Sequence, residues 1–203
     1  MRQGLFITLE GVDGVGKTTQ ALLLKRCLEQ RGHTVLHTFE PGGTVLGSQI
    51  RQLLLNPEHK ELHSMTEILL YAADRAQHVF ETVLPALEGG QTVVCERFID
   101  SSVAYQGYGL GLDIEGIKDI NRWASGGLIP DLTIYLDADP AESLKKTKGD
   151  RIEQRTLEYY ARVREGFLTI AQEEPKRVQV ISATGSIEEV ASRVLEALGG
   201  ICP

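Results

Sequence analysis

Gly11-Val12-Asp13-Gly14-Val15-Gly16-Lys17-Thr18 fills every fixed position of a G-x-x-x-x-G-K-[ST] loop, and Thr19 follows it directly. Chance alone brings those fixed residues together in a chain of this length about 1% of the time. The flanks make an accident rarer still. Leu5 to Leu9 is short, apolar and rich in strand formers, while Thr19 to Arg31 carries apolar residues at helical spacing. The loop therefore joins a strand to a helix. In that setting glycines let backbone N–H groups turn toward phosphate oxygens, and the helix N-terminus adds partial positive charge. Residues Gly11 to Thr19 read as a nucleotide phosphate cradle. Within it Lys17 is expected to reach the β- and γ-phosphates and Thr18 to offer its hydroxyl to Mg2+.

Outward from the loop, four further apolar runs have strand length: Thr34 to Phe39, Gln91 to Glu96, Leu132 to Asp137 and Arg177 to Ser182. Helical patterns separate them. Strands alternating with helices imply right-handed crossovers, hence an α/β fold of the P-loop NTPase type, with a parallel five-stranded sheet flanked by helices on both faces. No repeat and no linker-like tract divides the chain, so one domain over 1–203 is expected. Ligands of such sheets bind beyond the carboxyl ends of the strands, where Glu10, Glu40, Glu96 and Asp137 emerge.

Composition narrows the partners. A formal charge of −7 and a pI near 5.3 argue against a nucleic-acid surface. Cys27, Cys95 and Cys202 lie far apart, without disulfide-framework or zinc spacing, as in a reducing compartment. No leader and no apolar run near 18 residues appears, so a soluble, cytoplasmic protein with no membrane partner is expected.

The third strand ends in Val93-Val94-Cys95-Glu96-Arg97. A carboxylate at that edge is placed to serve Mg2+, usually through water, and the neighbouring guanidinium can grip a phosphate bidentately. Five ordered motifs then make the chain resemble bacterial-type thymidylate kinases over nearly its whole length. They are Glu10 to Thr19, Glu40-Pro41-Gly42-Gly43-Thr44 followed by Ile50-Arg51, Leu70 to Arg75, Glu96 to Gly107, and Asp150 to Glu153. Ser102-Val103-Ala104-Tyr105-Gln106 is the most diagnostic, because many nucleotide-binding proteins share the loop alone.

The resemblance implies phosphoryl transfer from Mg-ATP to dTMP, yielding dTDP, within dTTP biosynthesis. By its place in the family pattern Arg97 binds the acceptor phosphate, with Arg51, Glu40 and Pro41 beside it. Tyr71 and Arg75, four apart on one helical face, are expected to share the base, one stacking and one hydrogen-bonding a ring carbonyl. Ser102, Tyr105 and Gln106 line the base and sugar pocket, with Tyr105 near the 2′ position. Asp13, Asp150 and Glu153 surround the metal and the 3′-hydroxyl. Because the phosphate loop lacks arginine, a short lid over residues 145–153 is expected to bring cations, with Lys146, Lys148 and Arg151 as catalytic candidates beside Lys145. Ile181 to Thr184 resembles the loop that packs against adenine through Ala183. The family also implies a homodimer formed by helices away from the phosphate site.

Two positions depart from the family pattern: Glu96 stands for an aspartate and Leu110 for an arginine. Other readings are a different nucleoside monophosphate kinase or a GTP-driven switch. The latter would use Asp113-Ile114-Glu115-Gly116 and Thr147-Lys148-Gly149-Asp150. Neither of these follows a strand directly, so both are read as accidental matches.

Overall fold

Each apolar run becomes a strand within one residue of the position its pattern predicts. The computed structural model describes residues 4–145 and 149–199. In it β1 spans Phe6–Glu10, β2 Val35–Phe39, β3 Thr92–Glu96, β4 Leu132–Asp137 and β5 Val178–Ser182. The strands pair in parallel in the order β2-β3-β1-β4-β5. Lys146, Thr147, Lys148 and Cys202 lie outside the described residues.

Parallel neighbours need crossovers, and helices supply them. These are α1 (Lys17–Gln30), α2 (Val45–Leu55), α3 (Ser64–His78), α4 (Leu84–Glu88), α5 (Ile99–Ser102), α6 (Ile114–Ala124), α7 (Pro140–Leu144), α8 (Leu157–Glu173) and α9 (Ile187–Ala197). Alternate residues of a strand face opposite sides. Ile7, Leu9, Val94, Ile134 and Leu136 accordingly pack with Leu24 and Leu28 of α1 and Val190 and Val194 of α9. One step out of phase, Phe6, Val93 and Cys95 meet Val79, Val83 and Leu87, while Tyr135 joins Tyr105, Val163 and Phe167. Each such side chain contributes about 1.5–3 kcal/mol by burial, so Leu24→Ala would cost about 2–5 kcal/mol.

Two stretches widen into π-helical turns, Val79–Val83 between α3 and α4 and Val103–Gly109 continuing α5. Against the second lies α8, drawn close because Gly109 has no side chain. A Cβ there would stand 2.6 Å from the Tyr159 ring. Asp113 caps α6 by accepting from the Glu115 amide, so the D-x-x-G match is a helix start.

Candidate active site

The loop between β1 and α1 turns through Gly11, Gly14 and Gly16 at φ of 141°, 75° and 103°, a region favouring glycine. A Cβ on Gly11 would also lie 2.7 Å from the Leu136 carbonyl oxygen. Val12 is buried in the core and Val15 packs beside it, which anchors the loop. Lys17 Nζ donates to the Gly11 and Val12 carbonyls at 3.0 and 2.9 Å. Burial, then the nearby Arg97 charge, pushes its pKa down to about 8 against the pull of Asp13 and Glu96.

At the end of β3, Glu96 Oε2 accepts from Thr18 Oγ1 at 2.6 Å, and Glu96 Oε1 lies 2.9 Å from His37 Nε2 on β2. Burial works to raise the Glu96 pKa, but the bonds from His37 and Thr18 outweigh it and hold the carboxyl below its ordinary value. Thr18 and Glu96 are hard oxygen donors, the chemistry Mg2+ takes. Among the described residues no cluster of three or more His, Cys, Asp or Glu forms a cage. Such a donor set fits an ion that draws further ligands from phosphate and water.

Arg97 follows at φ 67°, a left-handed conformation that costs a non-glycine residue about 1–2 kcal/mol. The turn carries its guanidinium across the mouth of the cradle. Nη2 donates to Asp13 Oδ1 at 2.6 Å and to the Tyr105 hydroxyl at 3.0 Å, and Nη1 donates to Ser101 Oγ at 3.1 Å. Burial opposes the Asp13 charge, yet Arg97 and Lys17 win and hold Asp13 below its usual pKa. Beneath them, at the end of β1, Glu10 accepts from the Phe98 amide at 2.7 Å and from Ser101 Oγ at 2.5 Å. Burial and the charge of Asp100 raise its pKa to about 7.

Two clefts meet at this point. One, of about 530 Å³, is lined by Pro41, Tyr71, Arg75, Ser102, Tyr105, Gln106 and Asp150 among others. The other, of about 1130 Å³, runs over Gly14, Gly16, Lys17, Thr18, Thr19 and Glu96. Asp13, Glu40, Arg51 and Arg97 line both.

Arg75 is buried, with Nε on Glu40 Oε2 at 2.9 Å and Nη2 on the Phe98 carbonyl at 2.9 Å. Its Nη1 donates to Ser102 Oγ at 3.0 Å and to Asn121 Oδ1. Four of its five N–H groups are thereby engaged, which leaves one Nη2 hydrogen for the cleft. The second oxygen of Glu40 lies 2.9 Å from His78 Nδ1, and His78 Nε2 lies 2.7 Å from Thr38 Oγ1. Tyr71 lines the same cleft. Burial, then Glu67, raises its pKa, so its hydroxyl keeps its proton.

Other expected site residues have different neighbours. Arg151 turns to α2 and α3, donating from Nε to the Leu54 carbonyl at 2.7 Å and from Nη2 to Glu67 Oε2 at 2.7 Å. Glu153 accepts from the amides of Gly149 and Asp150 at 2.5 and 3.0 Å and does not line either cleft. Asp150 accepts from the Ile152 and Glu153 amides at 2.8 and 2.9 Å, which makes it a turn former as well as a cleft residue. Lys145 pairs with Glu142 on the surface at 2.6 Å. Ala183 sits after β5, its amide on the Asp137 carbonyl at 2.8 Å, outside both clefts. Lys146 and Lys148 lie outside the described residues. Sequence reasoning missed Glu67, Arg155, His37, Asn121 and Ser101. The bonds that bring them to the site, Glu67 with Gln106, Arg151 and Arg155, His37 with Glu96, Asn121 with Arg75 and Ser101 with Glu10, span 39 to 91 positions, and no local pattern marks them.

Strand order, glycine cradle and confluent clefts define a P-loop NTPase-type α/β protein. Comparison narrows this class: the sequence model described as thymidylate kinase matches residues 9–194. A thymidylate kinase of Synechococcus sp. (strain JA-2-3B'a(2-13)) is 53% identical over 191 residues, covering 94% of this chain and 92% of that protein. One from Exiguobacterium sibiricum is 50% identical over 195 residues, with coverages of 94% and 92%. The crystal structure of thymidylate kinase from Ehrlichia chaffeensis superposes with a TM-score of 0.81 at 36% identity, covering 96% of this chain and 98% of that one. The chain belongs to the thymidylate kinase family.

Proposed function

We infer that the protein transfers the γ-phosphoryl group of ATP to dTMP, giving ADP and dTDP on the route to dTTP. The observation that carries this reading is the set of residues common to both clefts, since Asp13, Glu40, Arg51 and Arg97 stand where a donor and an acceptor phosphate would meet. An oxygen of the acceptor monophosphate attacks the γ-phosphorus, and the bond to the oxygen bridging to the β-phosphate breaks as ADP leaves. The acceptor is already an anion, so positioning and charge neutralisation carry the step.

In this reading the Gly11–Thr19 loop cradles the donor phosphates and Lys17 neutralises them. Arg97 grips the acceptor phosphate with the N–H groups left by its bonds to Asp13, Tyr105 and Ser101. Arg51 assists from the rim, held by the Pro41 carbonyl at 2.8 Å. Thr18 and Glu96 would hold Mg2+, which would neutralise phosphate charge. Asp13 and Asp150 face the acceptor's sugar, while Tyr105 crowds its 2′ side. For the base, Arg75 offers its one remaining donor and Tyr71 its ring. The geometry favours Glu67 as the partner of Arg151, so lid cations are assigned to the 145–148 stretch, while Glu153 holds the amides of Gly149 and Asp150 that follow it.

We further propose a cytoplasmic homodimer. An exposed apolar face supports the association: Met65 and Leu69 on α3, Phe80 just beyond, and Trp123 on the adjoining α6, the last 84% exposed. Among the described residues no helix is long and apolar enough to cross a membrane.

The test is ADP formation with Mg-ATP and each of dTMP, dUMP, UMP, CMP, AMP and GMP, and with no acceptor. Strong preference for dTMP is expected. Preference for another monophosphate overturns the acceptor assignment, and hydrolysis indifferent to acceptor overturns the kinase reading.

A further inference from the structure

Glu67 sits on α3 one turn before Tyr71 and is 1% exposed. Its Oε2 accepts from Arg151 Nη2 at 2.7 Å and Arg155 Nη2 at 2.6 Å, while its Oε1 accepts from Gln106 Nε2 at 2.9 Å. With its oxygens accepting from two guanidinium groups, Glu67 offers Gln106 an acceptor. Only the NH2 end of Gln106 can face it, and that holds whichever way an amide is drawn. Turning the amide over would set its oxygen against a carboxylate oxygen and forfeit the bond. What Gln106 has left is therefore its carbonyl oxygen, for which no donor is found among the described residues, and Gln106 lines the same cleft as Arg75.

We propose that Glu67 is a specificity-determining positioning residue: by locking the Gln106 amide in one orientation, it sets the hydrogen-bond code of the acceptor cleft. The locked cleft presents an acceptor, Gln106 Oε1, and a donor, the remaining Arg75 Nη2 hydrogen. That pair matches a ring N–H beside a carbonyl, as in thymine and uracil. Against cytosine, Gln106 Oε1 meets an unprotonated ring nitrogen and Arg75 meets an amino group, so both contacts are mismatched. A buried site built for one hydrogen-bond pattern rejects the other by large factors, because its own polar groups are left unpaired. Arg151 and Arg155 keep Glu67 in place, which ties the segment after residue 149 to the base pocket. This inference rests on the pyrimidine acceptor reading above, and its test separates the two.

The measurement is kcat/KM for dTMP and for dCMP with the wild-type protein, Glu67→Gln, Gln106→Leu and the double variant. Glu67→Gln keeps the size but gives position 67 an NH2 of its own, so the Gln106 amide is free to turn. A wild-type dTMP:dCMP ratio of about 10³ or more is expected. Glu67→Gln should lower it at least tenfold, chiefly through KM for dTMP, and add nothing in the Gln106→Leu background. If Glu67→Gln lowers Tm and the activity on both acceptors equally while the ratio stays intact, Glu67 is a strut only and the proposal fails alone. A wild-type enzyme that prefers dCMP or a purine monophosphate overturns the acceptor reading as well. Should Glu67→Gln not fold, 15N spectra of the wild-type protein decide. The Gln106 side-chain NH2 pair, assigned by its loss in Gln106→Leu, must be slow to exchange with and without dTMP. Rapid exchange refutes the locked amide.

Discussion

Replacing Arg97 by glycine separates its chemical role from its structural one, because the residue pays a backbone cost to hold its place. Removing the guanidinium forfeits bonds to Asp13, Tyr105 and Ser101, about 3 kcal/mol in all at about 1 kcal/mol each. Glycine returns about 1 kcal/mol at φ 67°. The net loss of about 2 kcal/mol corresponds to a fall in Tm of about 4–8 °C for a chain of this size. Activity should suffer far more. Three of the five Arg97 N–H groups are engaged by protein, so two remain for the acceptor phosphate in the role proposed for this residue. Two charge-assisted bonds at about 1.5–3 kcal/mol each give a loss of about 10²–10⁴ in kcat/KM. The assay is coupled ADP release with dTMP as acceptor, paired with a thermal melt. A folded Arg97→Gly variant whose kcat/KM falls less than tenfold would refute the reasoning.

Three further outcomes are expected. Lys17, with its pKa lowered to about 8, is charged below that pH and loses charge above it. Phosphates restore the proton, so ATP affinity should weaken above about pH 8 and binding there should take up protons, as calorimetry in two buffers will read. On stability the sign is opposite: the unfolded chain holds this proton more tightly, so the group adds stability as pH rises from about 8 to 10.5. Arg177→Met leaves Asp100, 3% exposed and bound by both Arg177 Nη atoms at 2.7 and 2.8 Å, without its counter-charge. A loss of about 3–5 kcal/mol and a Tm at least roughly 6 °C lower should follow, and an unchanged melt would contradict it. If the proposed dimer forms through the apolar face of α3 and α6, Leu69→Glu combined with Trp123→Glu should give a folded monomer by light scattering, and a dimer unmoved by both changes places the interface elsewhere.

Much of this was legible in one dimension, for reasons particular residues make plain. The five strands were readable because parallel strands covered on both faces are continuous apolar runs, as in Val93-Val94-Cys95. The boundaries of β4 agree to the residue. Arg75 and Tyr71 were readable as lining one cleft because four residues is one helical turn. The π-helical winding of Val103–Gly109 was not, since nothing in that heptapeptide distinguishes it from an α-helical continuation. Nor was the ion pair of Arg151 with Glu67, 2.7 Å away and 84 positions back in the chain.

The sequence by itself determined what is built from neighbours along the chain: the glycine turn of the phosphate cradle, the strand–helix alternation and the acidic and basic residues at strand ends. Tertiary structure decided which hydrogen-bonding capacity each side chain has left. Arg75 keeps one donor after Glu40, Ser102, Asn121 and Phe98 take theirs, and Gln106 keeps its oxygen because Glu67 takes its NH2. The physical reason is saturation. A side chain brings a fixed number of donors and acceptors, a local pattern names that number, and only the partners folded against it determine what remains for a substrate.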